Sequence, residues 1–93
     1  MAENRFNQLG YEAMRKKDYA KSIAIFRINT ELYPDSANTY DSLGEVLEAS
    51  GDKAGAIAMY KKCVEVATAK GDVDQNGPAK VHSQERLKAL GAS

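Results

Sequence analysis

The chain has 93 residues, 43% of them hydrophobic and 28% charged, which fits one small folded domain rather than a disordered segment. Its 13 basic and 13 acidic side chains cancel, which argues against a nucleic-acid or anionic-membrane binder, because such proteins need an excess of positive charge. A single Cys excludes an internal disulfide and a cysteine-based zinc cluster. The sequence has no apolar run of about 20 residues and no signal-peptide core. As given, it is expected to be soluble and cytoplasmic.

The sequence repeats itself with a period of 34 residues. Eight residues recur identically at this shift, where average composition gives about two by chance. The identical pairs are Asn4/Asn38, Leu9/Leu43, Gly10/Gly44, Asp18/Asp52, Ala20/Ala54, Ile23/Ile57, Ala24/Ala58 and Glu31/Glu65. The chain therefore contains two copies of one unit.

The first copy predicts two helices, near residues 3–16 and 19–33, with a turn at Lys17-Asp18. Pro34-Asp35-Ser36 follows as a helix breaker with capping residues, which marks the start of the second copy.

The second copy predicts the same helix pair. Apolar residues recur at three- and four-residue spacing from Tyr40 to Leu47, as an amphipathic helix requires. Gly51 ends this helix, since glycine accepts the left-handed backbone of a helix C-terminus. A further helix carries an apolar stripe from Ala56 to Ala67.

A last helix is predicted after Asn76-Gly77-Pro78, because Pro suits the first helical turn. Its buried side is marked by Ala79, Ser83, Leu87 and Leu90. Together these signals predict an all-α fold of two antiparallel helix pairs with a covering helix. The first repeat spans about 3–36, the second about 37–70, the linker 71–77 and the covering helix 78–90.

At these spacings the sequence resembles the tetratricopeptide-repeat family. The matching residues are Phe6, Leu9, Gly10, Tyr19, Phe26 and Pro34 in the first copy and Tyr40, Leu43, Gly44, Gly51, Ala56 and Tyr60 in the second. The sequence departs from the family pattern at Ala13, Ser22, Leu47 and Thr68. The resemblance implies a short helical solenoid whose last helix is a capping helix, and it makes the matching residues scaffold rather than site.

The resemblance also implies that the first helix of each repeat lines a concave groove that binds a protein or peptide. The residues expected in this groove are Asn4, Asn7, Tyr11, Met14, Asn38, Asp41, Glu45 and Glu48. Independently of the family, the three acidic residues stand at i, i+4 and i+7 and share one helix face. Residues 35–52 carry five acidic and no basic side chains, so this face can attract a basic or polar partner or can be a solvated helix face. The acidic positions disfavour an anionic peptide end as ligand.

The sequence has no catalytic signature and predicts a protein that is not an enzyme. His82 is the only His and is expected in a solvated or capping role, and Cys63 is expected as a buried, unreactive thiol. No glycine-rich phosphate loop or nucleophile elbow is present, so no cofactor is expected. A metal site on the acidic face is not expected either, because no His stands near it in the sequence and the three carboxylates span two turns.

Two alternatives to a free peptide-binding module remain. Two helix pairs leave apolar end faces thinly covered, so the domain could be an assembly element that forms a homodimer. The run from Ile23 to Phe26 and from Glu31 to Glu45 is also similar to the short repeat tail of some bacterial serine hydrolases of the β-lactamase or esterase type. That similarity implies an accessory domain regulating a linked enzyme, and a periplasmic or secreted location if the parent is exported.

Overall fold

A computed structural model describes residues 2–70 and 76–92 as five α-helices without a strand. The helices are α1 (Ala2–Arg15), α2 (Tyr19–Leu32), α3 (Ala37–Ala49), α4 (Lys53–Lys70) and α5 (Asn76–Ala89). The predicted all-α fold of two helix pairs and a capping helix is confirmed. The predicted linker at 71–77 lies largely outside the described residues.

Each helix packs mainly on its neighbours in the chain, which gives a short solenoid. The α1–α2 and α3–α4 pairs are antiparallel, α2 joins one pair to the next by packing on α3, and α5 packs on both α4 and α3. The helix α3 also contacts α1. One layer therefore consists of α1, α3 and α5 side by side, and α2 and α4 form the other layer.

The repeat-equivalent Gly10 and Gly44 face aromatic rings. A Cβ built on Gly10 would lie 2.5 Å from Phe26 Cε1, and one on Gly44 would lie 2.7 Å from Tyr60 Cε1. Both rings are fully buried. These contacts allow the two helices of each pair to approach until the ring of one lies against the backbone of the other.

The core lies between the two layers and is richest around α3. One cluster of buried side chains contains Phe26, Leu43, Val46, Leu47, Ala56, Tyr60 and Leu87. A second contains Ala37, Tyr40, Cys63, Val66, Ala67 and Ala79. The predicted burial of Ala79, Ser83 and Leu87 on the last helix is confirmed.

One departure from the family pattern, Ser22 in the first repeat, has a structural explanation. Ser22 is fully buried, and its hydroxyl donates a hydrogen bond of 2.8 Å to the carbonyl oxygen of Gly10. A hydroxyl in place of a small apolar group is therefore satisfied within the α1–α2 pair.

The last helix begins at Asn76, two residues before the predicted start. Pro78 is compatible with this start because it has no N–H group, and the N–H groups of a first helical turn have no partner within the helix.

The start of α3 is capped differently from the sequence-based expectation. Ser36 stands at the capping position, but its hydroxyl makes no cap and instead donates to Glu3 Oε2 at 2.6 Å. The backbone N–H of Ala37 donates to Asn76 Oδ1 at 3.0 Å. The first residue of α5 thus satisfies the first turn of α3, which joins the two helix starts.

Candidate functional site

The residues predicted to line the groove lie on α1 and α3, in the layer that α5 completes. These residues differ in exposure: Asn4 is exposed, Asp41 is buried, and Asn7, Tyr11, Met14, Asn38, Glu45 and Glu48 are half-buried. An open depression of about 310 Å³ along α1 is lined by Asn7, Gln8, Tyr11, Glu12 and Arg15. The surface of this layer is therefore polar, and part of it is accessible to a partner.

Tyr11 of α1 joins the two repeats. Its hydroxyl donates to Glu45 Oε1 at 2.7 Å and lies 3.0 Å from Ser42 Oγ, while its ring packs edge-on against Phe26. Ser42 in turn donates to Asn7 Oδ1 at 2.9 Å. Burial, followed by the negative charge of Glu45, raises the pKa of Tyr11 well above its ordinary value. Tyr11 is therefore a neutral hydrogen-bond donor across the α1–α3 seam.

Asp41 links α3 to α5. One of its carboxylate oxygens lies 2.8 Å from His82 Nδ1 and accepts a 2.7 Å hydrogen bond from Ser83 Oγ, and its other oxygen lies 3.0 Å from the same ring nitrogen. Burial lowers the pKa of His82, but the hydrogen bond and charge of Asp41 outweigh this effect, so the pKa is raised above the ordinary value. A raised pKa favours the imidazolium form that pairs with the carboxylate.

Glu48 makes a second link between α3 and α5. It accepts hydrogen bonds from Tyr60 Oη at 2.9 Å and from Arg86, whose guanidinium contacts both carboxylate oxygens. The hydrogen bond from Arg86 holds the pKa of Glu48 below its ordinary value, against the opposing effect of burial. This fork geometry is typical of a bidentate arginine–carboxylate pair.

Glu45 stands between Asp41 and Glu48 on α3 and forms no ion pair within the described residues. Burial raises the pKa of its carboxyl, and the nearby charge of Asp41 acts in the same direction, while the Tyr11 hydrogen bond lowers it. One ligand atom each from Asp41, Glu45 and His82 lie within 4.8 Å of one another. The acidic face therefore gathers two carboxylates and an imidazole at one place.

The structure brings together only part of the predicted groove. Asn7, Tyr11 and Glu45 form one polar network through Ser42, while Asp41 bonds His82 and Ser83 beside it and Glu48 pairs with Arg86. Met14 packs on the apolar core, whereas Asn4 and Asn38 make no hydrogen bond to this network within the described residues. The acidic face is thus neither fully solvated nor a free charged surface, because Asp41 and Glu48 are paired with His82 and Arg86 within the chain.

Sequence reasoning missed the residues that α5 contributes. His82 is not simply solvated but bonds Asp41, and Ser83, Arg86 and the hydroxyl of Tyr60 complete the pairing. One signal was available. His82 and Arg86 are four residues apart on one helix face, and they can match the acidic residues of α3 if α5 takes the place of a third repeat's first helix.

These features define a class of protein. Antiparallel helix pairs that stack side by side and end in a single helix make a helical-repeat solenoid. In the described residues, none of the helices combines the length and apolar character needed to cross a bilayer.

The comparisons with known proteins specify the repeat. The tetratricopeptide-repeat family model matches residues 37–70. The whole chain is similar to the crystal structure of a tetratricopeptide-repeat domain protein from Salinibacter ruber, with a TM-score of 0.79, 26% identity and 100% of both chains covered. No curated protein matches the chain. Residues 37–70 therefore match the tetratricopeptide-repeat pattern, and the whole chain has the fold of a tetratricopeptide-repeat domain, a fold that generally mediates protein–protein interaction.

Proposed function

We propose that the chain is a protein-interaction module that binds a polar peptide or partner domain on the face formed by α1, α3 and α5. The observation that carries this proposal is the polar surface of that layer, with an open depression beside Asn7 and Tyr11 and the exposed side chain of Asn4. Extended concave surfaces of this kind are the binding surfaces that helical-repeat proteins use.

The partner expected here is polar rather than strongly basic. Asp41 and Glu48 are already paired with His82 and Arg86, so these two carboxylates offer little net charge to a cationic ligand. Hydrogen-bonding side chains remain along the face, including the repeat-equivalent Asn4 and Asn38. A peptide backbone is a suitable ligand for amide side chains, because each amide both donates and accepts hydrogen bonds.

The proposal is tested by selecting peptides that bind the folded domain and mapping one of them by nuclear magnetic resonance. The double variant Asn4→Ala/Asn38→Ala is expected to lose about tenfold or more in affinity, whereas Arg27→Ala/Lys61→Ala, an equivalent exposed pair on α2 and α4, is expected to bind like the wild type. Peptide-induced chemical-shift changes confined to α2 and α4 would contradict binding at the proposed face. Equal peptide affinity of the two double variants would also contradict it. Asp41 and Glu48 are unsuitable for this test, because replacing them would also remove polar links between α3 and α5.

A second candidate function is self-association through the first repeat. Leu9 is 37% exposed although its repeat equivalent Leu43 is 1% exposed, and Leu32 is 55% exposed although its equivalent Val66 is 8% exposed. Leu43 packs in a core cluster with Phe26 of α2, and Val66 packs in a second cluster with Ala79 of α5, whereas Leu9 and Leu32 of repeat one remain at the surface. A second copy of the chain would cover them.

Sedimentation velocity over a hundredfold concentration range tests this candidate. A concentration-dependent dimer that is lost in Leu9→Ser/Leu32→Ser but kept in Val81→Ser would support it, since Val81 is equally exposed on α5. A monomer at all concentrations would exclude it. None of the three comparisons connects the chain with a serine hydrolase, so regulation of such an enzyme stays a prediction.

A further inference from the structure

Two carboxylates and one imidazole converge between α3 and α5. Asp41 and Glu45 stand one turn apart on α3, and α5 carries His82 to within 2.8 Å of Asp41. One ligand atom from each of the three residues lies within 4.8 Å of the others. The side chain of Asp41 is only 8% exposed, while that of His82 is 40% exposed, so the cluster is anchored inside and reachable from solvent.

Hydroxyl groups from two other positions hold the carboxylates. Ser83 donates to Asp41 at 2.7 Å, and Tyr11 donates to Glu45 Oε1 at 2.7 Å, which leaves Glu45 Oε2 without a hydrogen bond in the described residues. Such donors orient ligand oxygens around many protein metal sites. The proximity of the two carboxylates also has an electrostatic cost, which a bound cation would remove.

We infer that Asp41, Glu45 and His82 form a binding site for a divalent first-row transition-metal ion such as Zn²⁺. Ligands bound at 2.0–2.2 Å around a tetrahedral ion lie about 3.3–3.6 Å apart. The His82–Asp41 pair already lies near this spacing, and the wider separations close by little more than 1 Å through side-chain rotation. The ion replaces the proton that His82 and Asp41 share, and a water molecule completes its coordination.

The donor set selects among cations. One imidazole nitrogen with two carboxylate oxygens suits Zn²⁺, Co²⁺ or Ni²⁺, whereas Mg²⁺ and Ca²⁺ require a shell of oxygen ligands. The sequence does not predict this site, because His82 is 41 residues from Asp41. Only the packing of α5 on α3 brings them together. The site does not depend on the proposed peptide-binding face, since it needs no partner.

The experiment is a Zn²⁺ titration of the tag-free chain at pH 7.5, followed by calorimetry and by the ring resonances of His82, which are unambiguous because the chain has one His. Saturable 1:1 binding that shifts these resonances is expected, with at least a tenfold loss of affinity in Glu45→Gln and in His82→Gln. Mg²⁺ is expected not to shift them. Glu31→Gln, an exposed carboxylate on α2, is the matched control and is expected to bind like the wild type.

A further control separates this site from the buried thiol. Cys63→Ala is expected to keep Zn²⁺ binding, because Cys63 is not one of the three ligands. Circular dichroism without metal identifies any variant that fails to fold. If His82→Gln does not fold, Glu45→Gln, at a half-buried position, is the variant that tests the site. Unshifted His82 resonances during the titration, unchanged affinity in Glu45→Gln, or loss of binding in Cys63→Ala would overturn the inference.

Discussion

Single backbone positions decide how closely the helices of this domain pack. Gly44 lies against the ring of Tyr60, which is fully buried and cannot withdraw into solvent. The variant Gly44→Leu is expected to lower the free energy of unfolding by about 1–3 kcal/mol, because its side chain overpacks the α3–α4 contact. Chemical denaturation measures this change.

The control for this prediction is Ala58→Leu, which adds the same side chain at an exposed position of α4. Its effect is expected to stay within about 0.5 kcal/mol, as is usual for surface substitutions. A Gly44→Leu variant as stable as the wild type would contradict the close contact between α3 and Tyr60.

The turn inside each repeat has a left-handed residue, but the two repeats use different amino acids there. Lys17 has φ 61° and its repeat equivalent Gly51 has φ 97°. A non-glycine residue in this conformation costs about 1–2 kcal/mol. Lys17→Gly is therefore expected to stabilise the domain, and Gly51→Lys to destabilise it by about the same amount, in thermal unfolding monitored by circular dichroism. Shifts of the melting temperature in the same direction for both variants would refute this explanation.

At the scale of elements, the position of α5 depends on a buried side chain and on its polar links to α3. Leu87 belongs to the main core cluster and is 7% exposed. Leu87→Ala is expected to cost about 2–5 kcal/mol by leaving a cavity against α3 and α4. Val81→Ala, on the exposed side of the same helix, is expected to cost little. Denaturation of both variants measures the difference, and equal costs would show that α5 is not docked through Leu87.

The Glu48–Arg86 pair makes the α3–α5 contact sensitive to acid. Because the folded-state pKa of Glu48 is lowered, its stabilisation is present above the unfolded-state pKa and is lost as the pH falls through the folded-state value. Wild-type protein is therefore expected to lose more stability than Glu48→Gln between about pH 5 and pH 3. Glu45, whose pKa is raised, acts in the opposite direction but is common to both proteins. Parallel pH profiles for the two proteins would contradict this role.

On the scale of the whole molecule, contacts run mainly between helices that are adjacent in the chain, so stability should vary along the solenoid. The helix α3 has the largest set of buried residues and contacts α1, α2, α4 and α5. Its amide hydrogens, and those of the middle of α4, are expected to exchange most slowly, while α1 exchanges fastest among the helices. Hydrogen exchange at neutral pH tests this order, and uniform protection across all five helices would show a single cooperative unit instead.

The sequence by itself determined the repeat and its helices. A 34-residue period, breaker and capping residues between helices and apolar side chains at helical spacing are local signals, because each helix contacts its chain neighbours. They predicted the bounds of α1 and α2 to within one residue at each end and the buried side of α5.

The state of the acidic face depends on how the helices pack. The partners of Asp41 and Glu48 stand about 40 residues away on α5, and a pairing over that distance has no periodic signature in the sequence. Whether a carboxylate is solvated, paired or part of a cation site depends on which charge the neighbouring helix carries to it. In this chain α5 packs on α3 and places His82 beside Asp41 and Arg86 beside Glu48. Two of the three carboxylates of the acidic face are therefore paired within the chain.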